Sequence, residues 1–411
     1  MQLRRRNAVF LSIVILALIV AGMSFFLLNR ARAEAVSQIS PVPSPTPPIE
    51  IVGGDNQAYH SEGSAGNPAI HPPVQVAQVQ ETPSPTPTSE TTPQPTPQPT
   101  PSPADVAPLQ TPDFEPAPED KITTCADIWD VNEIPFDIPE IINFPPSIDS
   151  LATDLNYYFL AAMLIQNDAI DTSTCPFNGL LTATTANQCG VDIAKPVILE
   201  WQNQYDAKIF ETGVKYGVPS RLLKKVFALE SQFWPGVYLD ITESGLGQLN
   251  ETGADAVLMY NSRFFGQFCP LVLHQSTCNQ GYLGMNSSGR ALLRGALVRQ
   301  VNASCDGCSI GIDTNRALSS IPIFAEVIKA NCSQVGQMIY NDTGKNSGTV
   351  SDYVNLWKIT MANYNAGPGC VDDAISKAWL NGEDITWDAV QKYLTSDQCS
   401  GAKFYVTDIF K

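Results

Sequence analysis

The stretch Lys225-Val226-Phe227-Ala228-Leu229-Glu230-Ser231 decides how this chain is read. Leu223, Val226, Phe227 and Glu230 recur at helical spacing, so they share one face. The helix they predict begins after Val218-Pro219, with Ser220 as its N-cap. A carboxyl group therefore lies on an apolar stripe, near the end of its helix. Burial without a partner disfavours the charged form and raises the pKa of a carboxylic acid. A glutamate that stays protonated near neutrality can serve as a general acid. The bland alternative is a glutamate that reaches solvent or meets a buried Lys or Arg, and this helix alone does not choose between the two.

Two later blocks shift the balance. Fifteen positions after Glu230 comes Gly245-Leu246-Gly247-Gln248-Leu249, and much later Ala362-Asn363-Tyr364-Asn365-Ala366-Gly367-Pro368-Gly369. Together the three blocks resemble the lytic transglycosylase and goose-type lysozyme superfamily, whose signature is an E-S pair, a G-L-M-Q block and a helix ending A-Y-N-A-G. The spacing of the first two blocks is the family's, and Tyr364-Asn365-Ala366-Gly367 matches the third completely. The resemblance covers roughly residues 200–260 and 350–372.

The resemblance implies peptidoglycan as substrate, cut between N-acetylmuramic acid and N-acetylglucosamine. It implies Glu230 as the single acid and base, first protonating the glycosidic oxygen, then drawing a proton from the muramic 6-hydroxyl as a 1,6-anhydro ring closes. Ser231 would assist within the cleft. Gln248 would bond the sugar or its acetamido group. Tyr364 would support Glu230 or pack on the ring, and Asn365 would hold the following loop. Such a site needs no cofactor and no metal. The sequence also departs from the pattern. Gly247 replaces the usual Met, and Thr242-Glu243 replaces a small Gly-Ala pair. Asn250 stands where goose-type lysozymes carry an acid, and Asp240 is one step from the other such position. Glu243 and Asp240 are thus candidate second carboxylates for a hydrolytic muramidase, since ordinary glycosidases use two. Glu243 can also raise the pKa of Glu230 through like-charge coupling. A reading of another class stays open: a glycan-binding scaffold or a component of an envelope secretion or conjugation complex.

Composition narrows the alternatives. The chain has 411 residues, a net charge of −17 and only three histidines, two of them in the linker described next. His274 is alone in the globular part, which argues against Ser-His-Asp, Cys-His and His-rich zinc chemistry. No phosphate-binding or dinucleotide-binding glycine loop occurs. The acidic balance and the lack of a basic patch argue against nucleic acid as a partner.

The same reading divides the chain. Residues 1–33 hold Arg4-Arg5-Arg6 and an apolar run from Ala8 to Leu28, long enough to cross a bilayer as a signal anchor with a cytoplasmic N-terminus. Ala31-Arg32-Ala33 leaves cleavage and secretion open. Residues 34–120 read as an acidic, disordered Pro-rich linker, as in Thr92-Pro93-Gln94-Pro95-Thr96-Pro97, with a reach of about 250 Å if fully extended. An anchored catalytic domain outside the cytoplasm, in the cell wall or periplasm, follows as the expected arrangement. Residues 121–195 read as a helical extension, with one segment capped at Ser147 and running to Gln166. Residues 196–411 read as the lysozyme-like domain, with Pro196 opening a helix through Tyr216. Further helical periodicity recurs near 252–260, 289–301, 314–339, 351–364 and 386–394, with a short β-loop region after Glu230. Residues 261–348 exceed the family spacing and read as a disulfide-braced insertion at the cleft rim. All ten cysteines follow Cys125, an even number in an exported domain, which argues for disulfides. Cys175/Cys189, Cys269/Cys278 and Cys370/Cys399 are candidate local pairs. Cys305-Asp306-Gly307-Cys308 reads as a structural disulfide, with metal binding or a redox role as the alternatives. The expected fold is mainly α: a lysozyme-like catalytic domain with a helical N-terminal extension and an insertion, preceded by one transmembrane helix and the linker.

Overall fold

A computed structural model describes residues 114–411, and these form a mainly α-helical domain. The apolar run of residues 8–28 and the proline-rich residues 34–113 lie outside the described residues. Among the described residues no helix is long and apolar enough to cross a membrane.

The central element is a 30-residue helix. For reference, α1 spans Cys125–Trp129, α2 Tyr158–Gln166, α3 Gln188–Asn203, α4 Asp206–Tyr216 and α5 Ser220–Ser231. Then come α6 Glu251–Tyr260, α7 Ser262–Val272, α8 Ser287–Val301, α9 Thr314–Thr343, α10 Tyr353–Ala366, α11 Pro368–Leu380 and α12 Asp397–Ile409. Helix α9 is the long one, capped by Asp313 and ended by left-handed Gly344. Every residue from Ser320 to Cys332 is buried, which marks a helix enclosed on all sides. Helices α1, α4, α6, α10 and α11 pack around it. This corrects the expectation of a rim insertion for its part Thr314–Thr343, because α9 is the helix on which the core is built. The apolar residues of 314–339 run all round the helix rather than along one stripe.

The extension at 121–195 is likewise tied into the core. Cys125 is bonded to Cys332 in the middle of α9, and Trp129 Nε1 donates to Cys332 O at 2.9 Å. Trp129 meets Trp357 and Tyr353 of α10 edge to face at 5.2 and 6.1 Å. Two expected helices are broken differently. Ser147 opens only a 3₁₀ turn at Ile148–Leu151, and α2 begins at Tyr158 after an extended stretch. That stretch is held by side chains, with Thr153 N donating to Asn203 Oδ1 and Leu155 N to Gln202 Oε1. Pro196 lies inside α3 rather than at its start, and Asn187 caps the helix. A separate helix, α4, then begins at Asp206. The only regular strands among the described residues are the short hairpin Leu180–Thr182 and Thr185–Ala186, ahead of Glu230, while the β structure after Glu230 is limited to the isolated bridges Ser244 with Leu249 and Ser304 with Ile312.

The expected linker boundary also moves. Residues 114–120 are docked on the domain. Phe114 packs on Phe264 and Phe268 at 5.7 and 5.3 Å, and the Tyr216 hydroxyl donates to Pro116 O. Lys329 of α9 pairs with Glu119 at 2.7 Å, and the Arg263 guanidinium donates to the Ala117 and Pro118 carbonyls. Composition hid this, because a few aromatic and charged contacts suffice to order a proline-rich segment.

All ten cysteines form disulfides: Cys125–Cys332, Cys175–Cys189, Cys269–Cys278, Cys305–Cys308 and Cys370–Cys399. The alternative of metal binding at Cys305 and Cys308 gives way to their bond.

Candidate active site

Helix α5 places Glu230. Gly217 ends α4 in the left-handed conformation at φ +70°, and Val218-Pro219 turn the chain into α5. The inner face of α5 buries Leu222, Leu223, Val226 and Phe227 completely. The helix stops at Gln232 and Phe233, both at positive φ, and Trp201 Nε1 fixes that turn through Phe233 O at 2.9 Å. Glu230 stands in the last turn. Part of the residue opens to the cleft, while protein closely surrounds the carboxyl. Burial pushes its pKa up to about 7, the Tyr405 hydroxyl works against the rise, and the Glu243 charge adds to it.

The Gly-Leu-Gly-Gln block is a tight turn. Ser244 and Leu249 exchange backbone hydrogen bonds at 3.1 and 2.8 Å, which forces the four residues between them to reverse direction. Gly245 takes φ +81°, and a side chain there would meet Val301 O at 2.7 Å. Gly247 stands where the resemblance implies a methionine, and its surroundings leave no room for a side chain. A Cβ at this position would lie 2.5 Å from the Phe324 ring and 2.6 Å from the Tyr364 hydroxyl. Phe324 of α9 thus fills space that a side chain at 247 would need.

The third block closes the site. Tyr364, near the end of α10, donates from its hydroxyl to Gly247 O at 2.6 Å, locking that helix to the turn. Burial, then the Glu230 charge, holds its own pKa well above the ordinary tyrosine range.

A cleft of about 660 Å³ runs along this junction. It is lined by Glu230, Glu243, Gln248, Tyr364 and Asn365, which brings together five of the seven residues singled out in the sequence. Gln248 is buried, with its Nε2 bonded to Gly245 O at 2.7 Å and Gly236 O at 3.3 Å, and its Oε1 has no partner. Asn365 is exposed on the cleft wall. Glu243 is held by Asn250, whose Nδ2 donates to Glu243 Oε1 at 3.0 Å while its own Oδ1 caps α6. The other two residues are placed differently. Ser231 is fully buried and bonds the Leu246 carbonyl at 2.8 Å, so it braces the turn from behind instead of meeting a ligand. Asp240 is exposed, does not line the cleft, and accepts from Thr242 N and Oγ1 at 2.8 and 2.7 Å.

Sequence reasoning missed Tyr405, on α12. Its hydroxyl is buried and interacts with the Glu230 carboxyl without closing a hydrogen bond of ordinary geometry. Ser396 as a cap, with Ala402, Val406 and Ile409 at helical spacing, was the available signal. The Cys370–Cys399 disulfide fastens α12 to α11, and both cysteines line the cleft. No family model, curated protein or solved structure matches the chain.

Proposed function

We propose that the protein is a peptidoglycan lytic transglycosylase with a lysozyme-like catalytic domain, and that Glu230 is both its acid and its base. One observation carries the reading: a glutamate whose pKa is raised to about 7 opens onto a cleft beside the Gly-Leu-Gly-Gln turn and the Tyr364 helix end. At neutral pH a large fraction of Glu230 is then protonated and can give its proton to a glycosidic oxygen as the C–O bond breaks. The resulting carboxylate can take the proton of the muramic 6-hydroxyl as that oxygen bonds to the anomeric carbon. The glutamate returns to its starting state and no water is consumed. Gln248 Oε1, unpartnered in the wall, accepts a hydrogen bond from the sugar. Membrane anchoring by residues 8–28, an exported location and assembly with an envelope complex belong to the same proposal.

A second reading is hydrolysis, with Glu243 positioning a water. It is favoured by the placement of Glu243 in the cleft, oriented by Asn250. Digestion of purified peptidoglycan with mass analysis of the fragments separates the readings. Anhydro-muramic ends are expected. Reducing ends, one water heavier, make the protein a muramidase, and no cleavage leaves a glycan-binding scaffold.

A further inference from the structure

The Cys305-Asp306-Gly307-Cys308 motif takes no part in the chemistry proposed for Glu230. It lies in the loop between α8 and α9, and its bridge differs from the other four in access. Cys125, Cys332, Cys269 and Cys278 are all buried, and two further bridges each bury one partner, Cys175 at 6% and Cys370 at 8% exposure. At Cys305–Cys308 both partners are partly exposed. Their neighbours Ser304, Asp306, Gly307 and Ser309 are exposed too, and a side chain at Gly307 would meet nothing within 4 Å. An incoming thiolate thus reaches this bridge without the domain opening.

It is also the bridge whose loss disturbs the fold least. A sequence separation of 3 closes the smallest loop of the five, so the bond removes the least entropy from the unfolded chain. The loop keeps its own backbone bonds: Cys308 N donates to Cys305 O at 3.1 Å and Cys305 N to Gly311 O at 2.9 Å. The dithiol form keeps a folded frame, and exposed bridges are the ones that exchange with thiols.

What the loop supports gives that exchange a consequence. Ala303 N donates to Pro235 O at 3.0 Å, and Asp313 N, at the cap of α9, donates to Ala303 O at 2.8 Å. Gly236 packs so closely on the loop that a side chain there would meet Ser304 Oγ at 2.6 Å and the Ile312 side chain at 3.3 Å. Gly236 O in turn accepts from Gly245 N at 3.0 Å and from Gln248 Nε2 at 3.3 Å. The bridged loop stands behind the turn that presents Gln248 to the cleft.

We propose that Cys305–Cys308 is a thiol–disulfide exchange site for an external dithiol, and that its oxidised form stiffens the Pro235–Gly236 support of the Gln248 turn. One thiolate of the dithiol attacks a sulfur of the pair, the S–S bond breaks, and the released sulfur takes up a proton. The second thiol of the reagent loses its proton and displaces the other cysteine, which is protonated in turn. Two electrons and two protons enter the protein, and the dithiol leaves as a disulfide. None of this depends on the reaction at Glu230.

The full-length oxidised protein is titrated with dithiothreitol and, separately, with reduced thioredoxin as a protein dithiol. Free thiols are then blocked with iodoacetamide and located by mass spectrometry. Cys305 and Cys308 should be labelled first, with the other eight cysteines still bonded. Labelling with both reagents supports the site and makes its partner a protein; labelling with dithiothreitol alone supports it and makes the partner a small dithiol. Another bridge opening first, or all five opening together, overturns the site. Hydrogen exchange then compares the selectively reduced protein with the oxidised one. Amides of residues 234–249 should exchange about tenfold faster in the reduced form, the order expected for releasing a short closed loop. The double variant Cys305→Ser, Cys308→Ser should match the reduced protein without any reagent. Where that variant fails to fold, the reduced wild-type protein decides alone. Exchange over 234–249 that is the same in both redox states overturns the support, and the proposal with it.

Discussion

Glu230→Gln should make the protein more stable above neutrality while abolishing turnover. In the unfolded chain the carboxyl titrates near 4.5, and in the folded protein near 7. Because the folded value is the higher one, the folded state binds more protons between those limits. Stability from this group is fully present below about pH 4.5 and is lost as pH rises through about 7. A rise of roughly 2.5 units at 1.36 kcal/mol each gives about 3 kcal/mol. The open side of the cleft wets the group and lowers the figure, so a gain of about 1–3 kcal/mol is expected for the glutamine, which has the same shape and no charge to bury. Urea unfolding of both proteins at several pH values between 4 and 9 measures it. The two should differ least at pH 4, diverge through pH 5–7 and run parallel above. A gap that does not change with pH would show that Glu230 is not held protonated, and the acid role would fall with it.

Glu243→Gln should lower the pKa of Glu230, so activity is lost at a lower pH on the alkaline side, whereas Tyr405→Phe should shift that limb upward. The pH profile of muropeptide release reads both, and identical limbs would dissociate these residues from the carboxyl. Gly247→Ala should cost about 1–3 kcal/mol through overpacking against Phe324, and Phe324→Leu should recover part of the loss in a thermal melt. Replacing Cys125 and Cys332 by serine should cost about 2–5 kcal/mol, more than the same change at Cys305 and Cys308, which close a far shorter loop. Equal losses at the two bridges would contradict the loop argument.

The elements that line the cleft were legible because each has a local signal. Glu230 breaks an apolar stripe, Gly245 demands a turn, and Tyr364 ends a periodic segment. Three of the five disulfides were legible as short-range pairs, and Cys305–Cys308 as a motif. What was hidden is what depends on distant partners. Cys125 gives no hint of Cys332. Nothing near Gly247 announces that Phe324 fills the space a side chain there would need. Ser231 shows the converse error: the resemblance implied a role for it within the cleft, but the position after Glu230 on a helix points about 100° away, into the turn behind. The break between Leu151 and Tyr158 was missed because side-chain amides of α3 hold it, and no propensity reports them.

The bond between Cys125 and Cys332 has a mechanical consequence. Under tension between Phe114 and Lys411, the docked residues 114–124 would peel away first, and the load would then pass through the sulfur bridge into the middle of α9. The bridge closes a separation of 207 residues. That loop holds Glu230, Glu243 and Gln248 and lies outside the covalent path of the force. Reduction would release a further contour of about 700 Å at 3.3–3.6 Å per residue, a step that single-molecule pulling resolves. A domain loaded in this way would keep Glu230, the Gly245–Gln248 turn and half of its cleft slack while its ends are pulled.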